Sequence, residues 1–336
     1  VPAPLVSFVI PVRNDATGLA RCLTSVRAQR GVGEFEIIVV DNGSIDGSDE
    51  VARSFGATVL TIPGRGVGEL RNRGAAAARG TFVAFVDADV ELGPDWLRTA
   101  LLYMADPQVA MAGAEYAPAP DANWVQRLYD GLRHPSGPPA DTRWLPAGNV
   151  LVRRAAFEAI GGFDESLQTC EDWDLCLRLH ERGGRLLAAG DLRSVHYGDP
   201  ASLGALFRGE AWRGRDNLRV SLRRMPALRD LPGILIPIVW LAGALMAAAG
   251  VVAAVVAGPS ALSATAAGMA MMAGLSLLRA VAIRRRTRQV PGSSAARAWL
   301  LAVVFDAARA FALVYSMPHR RATVPEPQPS PSGAAR

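Results

Sequence analysis

Residues Ile234–Gly258 contain no charged side chain, and Ala261–Ile283 contain a single one, Arg279, close enough to the end to snorkel. As helices rising about 1.5 Å per residue, both are long enough for a hydrocarbon core of about 30 Å. Gly258-Pro259-Ser260 joins them into a hairpin, and nothing else in the chain is large enough to cover two such helices. We therefore read a transmembrane helical hairpin over 221–290, with spans at 234–258 and 261–283. Arg219, Arg223, Arg224 and Arg229 precede it, and Arg284, Arg285, Arg286 and Arg288 follow. Basic residues collect on the cytosolic side of a membrane, so both ends of the hairpin are expected there. Gly250, Ala254 and Gly258, and Ala266, Ala270 and Gly274, offer faces for close helix packing.

The remainder of the C-terminal region is less apolar. Ala295–Met317 is long enough to span, but Arg297, Asp306 and Arg309 interrupt it, and a third crossing would export His319-Arg320-Arg321 against the charge rule. An interfacial amphipathic helix over 291–318 is preferred to a third span. The Pro-rich tail, 319–336, is expected to be disordered. Formal charge is +5, and all 36 basic residues are Arg. Their concentration beside the apolar region points to anionic lipid, with no interleaved basic and aromatic platform for nucleic acid. Cys22, Cys170 and Cys176 match no metal or redox spacing and fit a reducing cytosol. Leu5–Val12 is too short for a signal peptide, so the region before the hairpin is expected on the cytosolic side of the cell membrane.

Residues 1–220 read differently, as alternating short β-branched runs and polar helical stretches. Val6–Pro11, Phe35–Asp41, Ala57–Ile62 and Thr81–Asp87 predict strands, and Thr17–Arg30 predicts a helix burying Leu19, Cys22, Leu23 and Val26. Repeated strand, turn and helix imply a mostly parallel, Rossmann-like α/β sheet whose loops gather at one edge. Among these loops Gly64–Gly68 is either a phosphate cradle or a flexible turn. The Pro- and Gly-rich stretch 117–146 is either a lid or acceptor-binding loop or a surface insertion.

The fourth run ends in Asp87-Ala88-Asp89. Two carboxylates at the carboxyl end of a buried strand lie where open α/β sheets bind ligands. Such a pair suits Mg²⁺ or Mn²⁺, which completes its shell with substrate phosphates, so a diphosphate is implied. A second acidic group, Glu171-Asp172-Trp173-Asp174, opens a helix. The positive end of a helix dipole favours ionised carboxylates there, either as a general base or as simple capping. His196 is a third metal ligand or a structural imidazole, and Arg213 and Arg215 reach the diphosphate or face lipid phosphate.

Taken in order, Val9-Ile10-Pro11-Val12-Arg13-Asn14, Asp41-Asn42-Gly43-Ser44, Arg71-Asn72-Arg73-Gly74, Phe85-Val86-Asp87-Ala88-Asp89, Gly161-Gly162-Phe163-Asp164 and Glu171-Asp172 resemble the motifs of family 2 glycosyltransferases, over about Val6 to Asn217. The resemblance implies a GT-A fold, a nucleotide-diphosphate sugar donor, a divalent metal (Mn or Mg) and transfer with inversion. By the same resemblance Pro11, Asn14 and Asp41 line the nucleotide pocket with Arg71 near it. Asp87 contacts ribose or metal, Asp89 holds the metal, and Asp172 deprotonates the acceptor hydroxyl, with Glu171 as its substitute. Arg13 stands where an aromatic residue is common in that family. No Gln-x-x-Arg-Trp motif follows the acidic helix; Arg208-Gly209-Glu210-Ala211-Trp212-Arg213-Gly214-Arg215 stands there, which suits one transfer per acceptor. Anchoring suggests a lipid-linked or cell-envelope glycan acceptor, with membrane lipids as partners. The alternatives are a polyisoprenyl-phosphate sugar synthase and a non-catalytic membrane scaffold.

Overall fold

The computed structural model describes residues 4–315 apart from 32, 134–136, 224–227, 229–230 and 291. Arg224, Arg229 and the tail 319–336 lie outside these described residues. The first half alternates as its patterning requires: β1 (Val6–Val12), α1 (Ala16–Arg27), β2 (Phe35–Asp41), α2 (Ser48–Ser54), β3 (Thr58–Thr61), α3 (Val67–Ala77) and β4 (Phe82–Val86). Asp15 starts α1 by accepting from the Gly18 N–H at 2.9 Å. Leu19, Cys22, Leu23 and Val26 then form its buried stripe. There follow β5 (Val90–Leu92), α4 (Trp96–Met104), β6 (Val109–Gly113), β7 (Ala117–Pro118), α5 (Trp124–Asp130), β8 (Ala140–Thr142), β9 (Asn149–Arg153), α6 (Arg154–Ala159), α7 (Glu171–Glu181), β10 (Arg185–Ala188) and β11 (Ser194–His196).

Among the described residues, eight strands form one sheet in the order β3-β2-β1-β4-β9-β6-β10-β8. The first four are parallel, as repeated crossovers imply, and β9 enters antiparallel to both β4 and β6, which makes the whole sheet mixed. Every residue of β4 is buried, because helices cover both faces of this central strand. Strand order reverses at β1 and β4, and their carboxyl ends open a crevice there. A small sheet, β5-β11-β7, lies beyond it and sets His196 opposite Val90.

Five helices end the described chain: α8 (Leu203–Arg213), α9 (Asn217–Ser221), α10 (Leu231–Ala257), α11 (Leu262–Arg286) and α12 (Ala295–Val314). Among the described residues, α10 and the segment Pro259–Arg286 are long and apolar enough to cross a membrane. Their outer faces leave Leu245, Val252, Val255, Val256, Met269 and Leu278 exposed. The helices approach closely at Gly243 and Gly268, where a Cβ on Gly268 would stand 2.4 Å from the Gly243 carbonyl. Gly250 also lies in the contact, against Thr265, whereas Gly258 and Gly274 have open space around them. Gly258 instead turns the chain, with φ +100°.

Helix α12 lies along the rest of the protein instead of standing apart from it. Arg297 stacks over Trp124 of α5 near one end, and Phe311 packs on Phe207 of α8 near the other. Its charges are satisfied within the fold: Asp306 accepts from Arg279 Nε at 2.6 Å and Ser276 Oγ at 2.9 Å, and Arg309 Nε donates to Glu210 at 2.8 Å. Val125, Leu128, Leu206, Ile283, Ala298 and Leu301 make the apolar contact between these helices and α5 and α8.

Candidate active site

The acidic groups at the end of β4 and the start of α7 meet through one cation. Arg71, on α3, is buried and donates from Nη2 to Asp87 Oδ1 at 2.6 Å and from Nη1 to Glu171 Oε1 at 2.8 Å. It gains more from the charges of Asp87 and Glu171 than it loses by burial, so its pKa rises further. Arg71 thereby spans the crevice and holds the two motifs together. Asp87 was expected to contact ribose or metal; one of its oxygens is committed to Arg71.

The three carboxylates opening α7 have different surroundings. Asp174 is buried and ion-pairs with Arg178 at 2.6 Å and Arg223 at 2.9 Å, which is a structural role. Glu171 belongs to Arg71. Asp172 accepts from the Trp173 N–H at 2.7 Å and from the Trp144 side chain. Burial, with Glu171 adding to it, pushes the Asp172 carboxyl up to about 7. The helix start alone suggested an ionised group; desolvation and the neighbouring carboxylate outweigh the dipole.

Asp89 faces His196, whose Nε2 lies 3.3 Å from Asp89 Oδ2 while Nδ1 meets Asp199 Oδ1 at 2.8 Å. Asp199 also ion-pairs with Arg133, whose guanidinium lies over Tyr116 and Tyr129. Burial works against the charged imidazole, but the two carboxylates prevail and raise His196 to about 9. Burial would likewise raise Asp89, and His196 holds it below its ordinary value. Space here is tight: a Cβ on Gly198 would stand 2.0 Å from Asp89 Oδ2, and one on Gly148 would stand 2.1 Å from Asp87 Oδ2. Tyr116, stacked on His196 at 4.9 Å, borders a cavity of about 460 Å³ lined also by Glu91, Glu115, Asp130, Arg133 and Arg193. Burial pushes Glu115 up to about 7 against the pull of Arg133, with Asp130 and Asp172 adding to the rise.

The residues expected around a nucleotide base collect at the ends of β1 and β2. Pro11 pairs in register with Val40, one residue before Asp41. Asp41 is buried and accepts from the Ser44 N–H at 3.1 Å, while Asn14 Oδ1 accepts from the Ile45 N–H at 2.9 Å. Asn14 has φ +51°, so its side chain turns back into this loop cluster. Arg213 and Arg215, expected at a diphosphate, have other partners: Arg213 donates to Glu210 at 3.0 Å and Arg215 to Gln168 at 2.9 Å.

Among the described residues no group of three or more His, Cys, Asp or Glu side chains is arranged to hold a metal. Asp89 and His196 fit a partial site only once the imidazole gives up the Nε2 proton it shares with Asp89, and Asp199 then fixes the ring through Nδ1. Hard cations of this kind commonly take only one or two protein carboxylates, the rest coming from phosphate and water. Sequence reasoning missed Arg133, Asp199, Tyr116, Glu115 and the bond from Trp144. A signal existed for three of them, since Asp199 follows His196 by three residues, and Arg133 and Trp144 sit in the irregular stretch 117–146.

Comparison with known proteins agrees with this architecture. Residues 7–161 match the model of Glycosyl transferase family 2. A pre-mycofactocin glycosyltransferase of Mycobacterium tuberculosis is 36% identical over 194 residues, which is 54% of this chain and 40% of that protein. Glycosyltransferase AglE of Haloferax volcanii is 28% identical over 241 residues, covering 67% and 79% of the two chains. The structure of mannosyltransferase PcManGT from Pyrobaculum calidifontis, in complex with GDP-Man and Mn²⁺, superposes with a TM-score of 0.61 at 20% identity, over 94% of this chain and 88% of that one. The chain thus spans 40% of the length of the first of these relatives and most of the other two. Residues 7–161 belong to glycosyl transferase family 2, within a chain that combines a GT-A-like mixed α/β sheet with a C-terminal helical region containing two apolar helices.

Proposed function

We propose that this protein transfers a sugar, with inversion, from a nucleotide-diphosphate donor to an acceptor hydroxyl at the cytosolic face of a membrane. The observation that carries the reading is the bridge from Asp87 through Arg71 to Glu171, which brings the end of β4 and the start of α7 to one crevice. Pro11, Asn14 and Asp41 bind the nucleotide. Arg71 and Asp87 orient the donor. Asp89 and His196 would hold a divalent cation, which when bound neutralises charge growing on the diphosphate oxygens. The anomeric carbon loses its bond to the diphosphate while the acceptor oxygen attacks the opposite face, and the acceptor proton passes to Asp172. A carboxyl raised to about 7 suits that transfer, because a base works best with a pKa near the working pH.

The acceptor occupies the cavity beside Tyr116 and Glu115, a reading supported by the effect of the Asp172 charge on Glu115. The apolar hairpin anchors residues 1–220, its Arg-rich ends keep them in the cytosol, and α12 lies at the interface, a reading supported by its contacts with α5 and α8 near both ends. An acceptor that is lipid-linked or part of an envelope glycan follows from that anchoring. The test is a thermal-shift panel of GDP, UDP and dTDP with and without Mn²⁺, followed by donor turnover with the responding nucleotide. One selective, metal-dependent shift supports the donor class; no shift with any nucleotide, together with no turnover, overturns it. Replacing Asp172 with Asn separates a hydroxyl acceptor, which loses turnover, from a polyisoprenyl phosphate, which needs no general base.

A further inference from the structure

The segment after α8 clasps the loop that leads into α7. Asp216, which is buried, accepts through Oδ2 from the Gln168 N–H at 2.9 Å and the Thr169 N–H at 3.2 Å, and its own N–H donates to Thr169 Oγ1 at 3.2 Å. Around it Arg219 donates to the Ser166 carbonyl at 3.3 Å, and Arg223 ion-pairs with Asp164 at 2.7 Å. Inside the clasp Cys170 precedes Glu171 with φ +60°, a conformation unfavourable for a residue with a Cβ and kept only where neighbours over-determine it.

The clasp in turn rests on α12. Glu210, 1% exposed, accepts from Arg309 at 2.8 Å, from Arg213 at 3.0 Å and from the Tyr129 hydroxyl at 2.7 Å. Gly214, between α8 and Asp216, lies so near α12 that a Cβ there would stand 2.6 Å from Ala312 Cβ. On its other side α12 is fixed to α11 by Asp306, Arg279 and Ser276. Bonded contacts therefore run without a break from the apolar hairpin to the turn that carries Glu171 and Asp172.

We propose that Asp216 is the positioning residue for the turn Glu171-Asp172, and that α12 holds Asp216 in register, so the site depends on α12 being seated between the hairpin and α8. Its importance for turnover rests on the role proposed for Asp172; the mechanical coupling does not. The whole 336-residue chain in lipid nanodiscs is followed by amide hydrogen exchange. With Asp216→Ala the amides of Gln168 and Thr169 exchange roughly tenfold or more faster, the equivalent of losing one hydrogen bond to a charged group, while β1 to β4 keep their protection. Gly214→Ala, which meets α12 and not the loop, speeds the same amides. Arg309→Gln does so too, and serves if the glycine variant fails to fold, as Asp216→Ser, too short to reach both amides, serves for Asp216→Ala.

Unchanged protection of Gln168 and Thr169 in the Asp216 variants overturns the clasp. Faster exchange confined to α12 in the Gly214 and Arg309 variants overturns the coupling. Once a donor is identified, Asp216→Ser lowers kcat at unchanged donor KM and moves the acid limb of the pH profile, which a loss of folded protein alone does not do. Absence of turnover in the unmodified protein defeats the proposed function and leaves the exchange result decisive for the clasp.

Discussion

Arg71 shows how one side chain can decide whether a set of carboxylates is a site. It is buried with two acidic partners, so Arg71→Ala leaves Asp87 and Glu171 facing each other without a counter-charge. We expect a loss of about 3–5 kcal/mol in chemical denaturation. At Asp172 the sign of the pH effect follows from its raised pKa. A carboxyl that holds its proton more tightly when folded stabilises the protein below its unfolded value of about 3.9, and that contribution is lost as pH rises through about 7. Asp172→Asn therefore raises Tm at pH 8 by a few degrees, with little change at pH 4, in parallel thermal melts. Turnover falls by about 10²–10⁴-fold in the same variant, and in the unmodified protein kcat rises with pH through about 7. A melt in which Asp172→Asn is less stable at pH 8 contradicts the burial argument. The positions of Asp87 and Asp89 after an apolar run and of Asp172 at a helix start were legible, although the helix start alone fits simple capping equally well. Tyr116 was not, because it meets His196 only through packing of segments far apart in the chain.

At the scale of elements, the pairing of β11 with β5 decides where His196 goes. Three residues of each strand suffice to set His196 opposite Val90 and thus beside Asp89, and so short a ladder leaves no mark in sequence periodicity. The same turn fixes Gly198, where any side chain would displace Asp89. Gly198→Ala is expected to abolish Mn²⁺-dependent stabilisation by nucleotide while leaving metal-independent binding measurable in the same thermal-shift assay. In the hairpin the close approach falls at Gly243 and Gly268, so Gly268→Leu should separate α10 from α11 and lower the detergent-solubilised Tm by several degrees, whereas Gly274→Leu should be tolerated. The small residues were visible in the sequence; which of them face the partner depends on helix rotation, and that is fixed by contacts with α12. The same docking explains Arg213 and Arg215, which hold Glu210 and the loop before α7.

Over the whole molecule, the α/β sheet part and the apolar helices are joined by buried ion pairs and an apolar contact. If both Arg-rich ends face the cytosol, the tip at Ser260 must cross the membrane. A Ser260→Cys variant in a background with Cys22, Cys170 and Cys176 replaced is expected to react with a membrane-impermeant maleimide from outside intact cells; labelling only after lysis would reverse the topology. Local patterning carried the strand and helix alternation up to α3, the buried β4 with acids at its end, and two helices long and apolar enough to span a membrane. These depend on local periodicity and composition, which neighbouring residues carry. Packing of distant segments set that β9 enters the sheet antiparallel, that Arg71 reaches Glu171, 100 residues away, that burial overrides the helix dipole at Asp172, and that α12 docks on α8. Each is set by which distant surfaces exclude water from one another, a property of the packed chain that no single segment contains.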